Sequence, residues 1–193
     1  MNPPTASILR GVEIPPYGGD TQWTNLAAAY NALSAPLKAF VQTLWGEHRF
    51  APPEGSAASQ LFIDKVTKAS LVSLHPLVRV HPVTKEKLLF VSPGFLKSIA
   101  QVTPRESRVL LELLFEHVTR SEFTVRFKWQ PGSIAFWDNR ATAHLAPTDI
   151  FDLDFDRQLY RVTLVGEVPQ NVQGEKSKLL DGDPLLAFHS AAY

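Results

Sequence analysis

The chain lacks cysteine, a long apolar run and an excess of either charge. With no cysteine among its 193 residues, it can form no disulfide, thiolate metal site or cysteine nucleophile, and the cytoplasm is the expected compartment. Nineteen basic residues balance nineteen acidic ones, so no net field draws the chain to nucleic acid or to an anionic membrane. No apolar stretch approaches the roughly 20 residues that span a bilayer. The first residues also lack the features of a signal peptide.

The apolar content is sufficient for a folded domain. Hydrophobic residues make up 45% of the chain, which supports one sizeable core at this length. We predict one domain over residues 1–170 and a polar tail over 171–193 that is punctuated by glycine and proline. Short β-forming runs alternate with helices and turns, so the expected class is mainly β with helices (α+β), a sandwich with helices packed outside. The aromatic residues expected in its core are Trp23, Trp129, Phe136 and Trp137.

Capping and turn residues locate the individual elements. Residues 103–106 read Thr-Pro-Arg-Glu, a capping box with proline at the first helical position. Ser34 is the expected N-cap of another helix, and Thr24 that of a short alanine-rich helix. Two β-rich runs within residues 78–91 flank a polar turn and predict a hairpin. The full prediction is strands at 6–14, 123–129, 133–137 and 158–165, helices at 24–33, from 34 onwards and at 103–117, and a loop at 51–59.

The last predicted strand carries two arginines on one face. Side chains alternate along a strand, so Arg157 and Arg161 share a face and lie about 13 Å apart by strand rise. We expect this face to point into the sandwich, and the opposite face to pack against helices. The opposite face carries Gln158, Tyr160, Val162 and Leu164.

These two guanidinium groups need anionic partners if they are buried, because an unpaired charge is costly to remove from water. Two sources of negative charge are open. Carboxylates nearby in the sequence neutralise the arginines in a purely structural role, or bound anions do so in a functional one. The nearby acids are Asp149, Asp152, Asp154 and Asp156.

His144 follows a Trp-Asp-Asn turn and precedes the arginines. One neutral imidazole followed by two fixed cations suits a site for a metal and two small anions. A single histidine beside a turn is, however, more often structural, and the chain contains no His-x-Asp or His-x-Glu pair to supply more ligands. Thr21 is an ordinary turn residue by its local sequence. The other histidines are expected on remote helix ends, turns or the tail, and they are His48, His75, His81, His117 and His189.

Four sequence blocks nevertheless occur together in a recognisable order. They read PPTASILRGVEIPPYGGDTQWTN, HPLVRVHPVTKEKLLFVSPGF, RFKWQPGSIAFWDNRATAH and DRQLYRVTLVGEVP, and they span most of residues 3–169. In this combination the chain resembles the taurine and alkylsulfate branch of the Fe(II)- and 2-oxoglutarate-dependent dioxygenases. The resemblance implies a double-stranded β-helix, or jelly roll, with a metal between its sheets.

The same resemblance implies a role for five residues. His144 matches the distal histidine of a 2-His-1-carboxylate iron site, which leaves positions open for 2-oxoglutarate and oxygen. Arg157 and Thr21 match the pair that binds the far carboxylate of 2-oxoglutarate. Arg161 matches the residue that holds the sulfonate or sulfate group of the substrate, and Phe95 is expected near the carbon chain of that substrate.

The family places its His-x-Asp pair just before the segment that begins here at Asn2. We therefore expect an N-terminally truncated jelly roll that binds Fe(II) weakly or not at all as given. The implied reaction is oxidative cleavage of a sulfonate or alkyl sulfate that releases sulfite or sulfate. The alternative is a non-catalytic jelly roll that keeps an anion pocket or a protein interface. Whether the chain forms a homo-oligomer is left open.

Overall fold

The structure, a computed structural model, describes residues 2–49, 71–146, 149–150 and 154–182. Within these ranges the chain is mainly β with helices, as predicted. The strands are β1 (Ala6–Glu13), β2 (Thr21–Asn25), β3 (Trp45–Arg49), β4 (Val72–Pro76), β5 (Val78–Val80), β6 (Lys87–Leu89), β7 (Leu96–Ile99), β8 (Thr124–Phe127), β9 (Ile134–Asp138), β10 (Thr142–Leu145), β11 (Gln158–Leu164) and β12 (Lys178–Asp181). The α-helices are α1 (Leu26–Ala32), α2 (Ala35–Val41) and α3 (Pro104–Val118), and Ser121–Phe123 is a 3-10 helix.

Two three-stranded antiparallel sheets form the sandwich that holds the site. One has the strand order β11-β1-β9 and the other β10-β2-β8. Their facing sides meet around three buried indoles, Trp23 from β2, Trp137 from β9 and Trp129 after β8. Leu9 and Leu159 from the first sheet pack on the same cluster. The sandwich interior is therefore aromatic, and it joins strands that are far apart in sequence.

The helices pack against a second core, together with the four-stranded sheet β12-β4-β3-β7 and the hairpin β5-β6. α3 begins with the predicted capping box: the Thr103 hydroxyl accepts from the amide of Glu106, whose carboxylate accepts from the Thr103 amide. Ser34 caps α2, also as predicted. The N-cap of α1 is Asn25 rather than Thr24, because the Asn25 carboxamide accepts from two amides of the first turn while Thr24 belongs to β2.

The strands predicted around the site are confirmed with small shifts in their ends, and the predicted hairpin is the antiparallel pair β5-β6. Strands β2, β3, β4, β7, β10 and β12 were not predicted. The last of these corrects the predicted tail, because Lys178–Asp181 pairs with β4 and Ser177 is buried. The predicted loop at 51–59 and the end of the tail, with His189, lie outside the described residues.

The outer face of β11 does not pack against helices, which corrects the prediction. Tyr160 and Val162 are 59% and 58% exposed, and Phe136 on the neighbouring β9 face is 68% exposed rather than in the core. These residues line up through β1, where Ile8 pairs with both Val162 and Phe136. Within the described residues this side of the sheet is an uncovered apolar surface. No helix in the described ranges is both long and apolar enough to cross a bilayer.

Candidate functional site

His144 lies on β10, paired with Trp23 of β2, so its side chain shares the inner face of the sandwich. Its ring centroid is 5.2 Å from that of Trp137 on the opposite sheet. Part of the residue remains open to solvent. Burial lowers the pKa of the imidazole, and the charge of Arg161 lowers it further. His144 is therefore a neutral imidazole at neutral pH, the form that binds a metal.

Two buried side chains, Arg79 in β5 and His81 just after it, hold the turn before β10. Arg79 donates from Nη2 to the carbonyl of Asn139 at 2.8 Å, and also to the carbonyl of Arg140. His81 Nε2 lies 3.1 Å from a carboxylate oxygen of Asp138. Burial opposes ionisation of Asp138, but hydrogen bonds from Arg140 and His81 outweigh it and hold the pKa of that carboxyl well below its usual range. These hydrogen bonds of Arg79 and His81 fix the position at which β10 begins.

Arg157 meets the glycine turn that leads into β2. Its Nε donates to the Gly19 carbonyl at 2.9 Å. Gly19 has a φ of +66°, and a Cβ there would lie 2.8 Å from Cδ of Arg157. Two residues later, Thr21 is the first residue of β2 and is buried, not a turn residue. Its hydroxyl oxygen accepts a 2.9 Å hydrogen bond from Nε1 of Trp129, which leaves the hydroxyl hydrogen able to donate elsewhere.

The carboxylate of Asp149 accepts hydrogen bonds from groups other than Arg157. It accepts from the Gly19 amide at 3.0 Å and from Nη2 of Arg126 at 3.0 Å. The same Arg126 donates from Nε to Asp20 at 2.7 Å. Burial lowers the pKa of Arg157, while the more distant charges of Asp149 and Asp20 raise it. Asp149 thus braces the turn against which Arg157 packs.

Within the described residues, the nearby carboxylates form no ion pair with the two arginines. Within the described residues, Arg157 and Arg161 form no ion pair within 4.0 Å, and Asp154 and Asp156 form none either. Asp152 lies outside the described residues. Arg157, which is half-buried, and Arg161, which is exposed, therefore have no carboxylate ion-pair partner among the described residues, and their guanidinium groups can bind anions.

Arg161 and Phe95 line one cleft with His144, and the cleft has a volume of about 530 Å³. Arg161 pairs with Leu9 of β1, whose side chain packs in the sandwich core, so the predicted inward face of β11 is confirmed. Thr163, two residues further along the same face of β11, also lines the cleft. Phe95, at 45% exposure, lies just before β7. The structure thus brings three of the five expected site residues into one cleft, and it places Arg157 against Gly19, two residues before Thr21.

Sequence reasoning missed three further residues of this cleft, namely His48, His75 and Arg79. The two histidines were expected on remote helix ends and turns. They lie instead on β3 and β4 and line the same cleft as His144. No local pattern identifies them, because both strands are defined by pairing with each other and not by alternation of apolar residues.

A complete iron site does not exist within the described residues. They contain no group of three or more histidine, cysteine, aspartate or glutamate side chains placed to hold a metal ion. His144, neutral and partly open, suits one position of a metal that also takes ligands from elsewhere. For 2-oxoglutarate the fit is better, since the Arg157 guanidinium and the Thr21 hydroxyl offer donors suited to a carboxylate.

Comparisons with known proteins find similar sequences and a similar solved structure. The sequence profile of the Taurine catabolism dioxygenase TauD, TfdA family matches residues 1–163. An alpha-ketoglutarate-dependent sulfate ester dioxygenase from Pseudomonas putida is 41% identical over 182 residues, which cover 91% of this chain and 60% of that protein. An alkylsulfatase from Acinetobacter baylyi is 37% identical over 182 residues, 91% of this chain and 56% of that protein.

A solved taurine dioxygenase from Burkholderia xenovorans is 68% identical to the chain, with a TM-score of 0.84. That match covers 95% of this chain and 60% of the solved one. The chain therefore spans less than two thirds of the length of each of these three proteins. The double-stranded β-helix expected from the sequence is the fold that the structural match supports.

Proposed function

Because the chain belongs to the Taurine catabolism dioxygenase TauD, TfdA family, we propose that the protein is a 2-oxoglutarate-dependent dioxygenase of sulfate esters or sulfonates. The observation that carries the proposal is the pair of inward-facing arginines, Arg157 and Arg161, without carboxylate partners among the described residues. Such a reaction needs two anion sites, one for the cosubstrate and one for the substrate, and the chain offers one cation for each.

Arg157 and Thr21 are the residues proposed to bind the far carboxylate of 2-oxoglutarate. A planar guanidinium can donate two parallel hydrogen bonds to a carboxylate. Nε of Arg157 donates to the Gly19 carbonyl, and this bond orients the guanidinium group. Among the described residues no hydrogen bond uses its two Nη atoms, so we propose that they bind the ligand. The Thr21 hydroxyl, whose oxygen is engaged by Trp129, adds a third donor.

Arg161 is proposed to bind the sulfate or sulfonate group of the substrate within the cleft. Its positive charge lies close enough to His144 to lower the pKa of that imidazole, so an anion held by Arg161 is near His144. Phe95 lines the same cleft and offers an apolar contact for the carbon chain of the substrate.

Iron, the metal that the proposed reaction requires, would be held at His144 together with ligands that the described residues do not provide. Bound there, Fe(II) would supply the oxidation of the carbon that carries the sulfur group, and the protein positions the reactants and excludes water. We also propose that molecular oxygen is a reactant and that the protein is located in the cytoplasm. The uncovered apolar face of β11 and β9 supports a homo-oligomer.

The proposal is tested by incubating the protein with Fe(II), 2-oxoglutarate, oxygen and an alkyl sulfate, and measuring succinate and sulfate. The assay compares the 193-residue chain with a version extended upstream of Met1 in the same reading frame. We expect equal amounts of succinate and sulfate from the extended version, and loss of both in its Arg161→Met variant. Succinate formed without sulfate from every alkyl sulfate, and without sulfite from every sulfonate, would contradict the proposed substrate class.

A second candidate function is a non-catalytic jelly roll that binds anions. It is favoured by the lack of a three-ligand metal group among the described residues. The two candidates differ in the upstream reading frame: a His-x-Asp or His-x-Glu pair there supports the enzyme, and its absence supports the binding module.

A further inference from the structure

Arg126 joins two carboxylates that lie close to the guanidinium group of Arg157. It extends from β8 and donates from Nε to Asp20 at 2.7 Å and from Nη2 to Asp149 at 3.0 Å. The Arg126 side chain is 54% exposed, whereas those of Asp20 and Asp149 are only 15% and 37% exposed. These three residues, one cation between two anions, are here called the Arg126 bridge.

Asp149 and Arg157 contact the backbone of the same residue, Gly19. The Asp149 carboxylate accepts from the Gly19 amide at 3.0 Å, and Nε of Arg157 donates to the Gly19 carbonyl at 2.9 Å. Burial lowers the pKa of Arg157, but the charges of Asp149 and Asp20 raise it, so both carboxylates lie within electrostatic range. Among the described residues, however, each of them forms an ion pair with Arg126 and none with Arg157.

The charge balance around Gly19 decides whether an anion can bind to Arg157. Asp20 and Asp149 carry two negative charges at neutral pH, and Arg126 and Arg157 carry two positive ones. If Arg126 were absent, Arg157 would be the nearest cation for both carboxylates. A carboxylate paired with Arg157 would occupy the donors that an anionic ligand needs. The ligand would also meet a net negative charge there.

Arg126 also connects β8 to the turn before β2, so a structural role has to be separated from an electrostatic one. Partly exposed ion pairs add little to stability. The two strands are already joined by backbone pairing, in which Gln22 lies opposite Arg126. Loss of the Arg126 side chain is therefore expected to change the charge around Arg157 more than it changes the fold.

We propose that Arg126 is a positioning residue for 2-oxoglutarate: it holds Asp20 and Asp149 away from Arg157, so that the Arg157 guanidinium stays available for the cosubstrate. The inference rests on the proposed function, in which Arg157 binds the far carboxylate of 2-oxoglutarate. Arg126 acts through the two aspartates and not through contact with the ligand. The Arg126 bridge thus prevents the protein from occupying its own anion site.

Calorimetric titration of 2-oxoglutarate into the 193-residue chain tests the proposal without turnover. Arg126→Met is expected to bind about 3- to 10-fold more weakly than the parent, which corresponds to one competing hydrogen-bonded pair. Addition of Asp20→Asn and Asp149→Asn to this variant should restore the affinity. Asparagine keeps an oxygen that accepts from the Gly19 amide but carries no charge.

Two further variants separate charge from structure. Arg120→Met is the matched control, because Arg120 is an exposed arginine that pairs with Glu122, and it should keep the parent affinity. The double variant Asp20→Asn, Asp149→Asn with Arg126 intact should bind 2-oxoglutarate at least as tightly as the parent. Weaker binding by this double variant would mean that the Arg126 bridge acts through the fold, and would overturn the proposal.

A crystal structure of ligand-free Arg126→Met gives a readout that does not depend on 2-oxoglutarate. A carboxylate of Asp20 or Asp149 is expected within ion-pair distance of Arg157. Carboxylates that stay apart from Arg157, parent affinity in Arg126→Met, or no recovery in the triple variant would overturn this inference and leave the proposed function intact. If the parent chain itself does not bind 2-oxoglutarate, the proposed role of Arg157 fails and this inference fails with it.

Discussion

Trp129 donates from Nε1 to the hydroxyl oxygen of Thr21 at 2.9 Å, across 108 residues of sequence. Both residues are buried in the sandwich. The bond joins the start of β2 to the segment after β8 and uses the Thr21 oxygen as an acceptor, so the hydroxyl hydrogen has to point elsewhere. One bond therefore has two consequences, for stability and for ligand binding.

Replacing Thr21 with valine is expected to destabilise the chain by about 1–3 kcal/mol, because the buried Nε1 of Trp129 loses its acceptor. Thr21→Ser retains the hydroxyl and is expected to lose much less. Urea unfolding followed by tryptophan fluorescence measures both. Equal losses in the two variants would mean that the methyl group, and not the hydrogen bond, is responsible.

Gly19→Ala is expected to weaken 2-oxoglutarate binding by displacing Arg157. The new Cβ would lie 2.8 Å from Cδ of that arginine, at a φ of +66°. Gly132→Ala is the matched control, since Gly132 has a φ of +83° and nothing within 4 Å of the added atom. Both variants pay a backbone cost of about 1–2 kcal/mol, but only Gly19→Ala should lose affinity in calorimetry. A similar loss in the Gly132 variant would contradict the contact.

Arg79→Met is expected to cost about 2–4 kcal/mol of unfolding free energy, because the carbonyls of Asn139 and Arg140 lose a buried donor. The turn before β10 then loosens. The expected signature is a change in the proton NMR shift of the His144 ring as well as a lower urea midpoint. A large stability loss with an unchanged His144 resonance would show that the hydrogen bonds of Arg79 do not position this histidine.

Burial lowers the pKa of two histidines of the cleft, His48 and His75, and this makes stability depend on pH. Their folded pKa values lie below the ordinary 6.5, so the unfolded chain binds more protons as the pH falls below that value. The free energy of unfolding should therefore be highest above pH 6.5 and should decline towards pH 4, by up to about 1.4 kcal/mol per pH unit for each histidine.

Urea midpoints at pH 7 and pH 5 measure this decline. The double variant His48→Gln, His75→Gln removes both groups and should show a clearly smaller difference between the two pH values. Asp138 does not contribute in this window, because the pKa of its carboxyl lies well below its usual range. An unchanged difference in the double variant would place the titrating groups elsewhere.

The features that the sequence predicted well are local ones. The capping box at Thr103 needs only residues three apart, and the shared face of Arg157 and Arg161 follows from strand alternation. The four motif blocks identified the family, which the profile match over residues 1–163 confirms.

The features that the sequence did not predict depend on pairing between distant segments. Strand β3 is defined by its pairing with β4, in which Glu47 lies opposite Leu74. These two strands carry the two histidines of the cleft. The apolar residues on the outer face of β11 predicted packing against helices, but burial also requires a partner surface. Among the described residues, Tyr160 and Val162 stay more than half exposed.

We propose that the sandwich contains two separate anion sites, one at Arg157 and one at Arg161. The most direct test is calorimetric titration of 2-oxoglutarate and of hexyl sulfate into the parent chain, Arg157→Met and Arg161→Met. Arg157→Met should lose 2-oxoglutarate affinity by about 10-fold or more, as expected for charge-assisted hydrogen bonds, and should still bind hexyl sulfate. Arg161→Met should show the reverse. Equal loss of both ligands in both variants, or no effect of either variant, would contradict the claim.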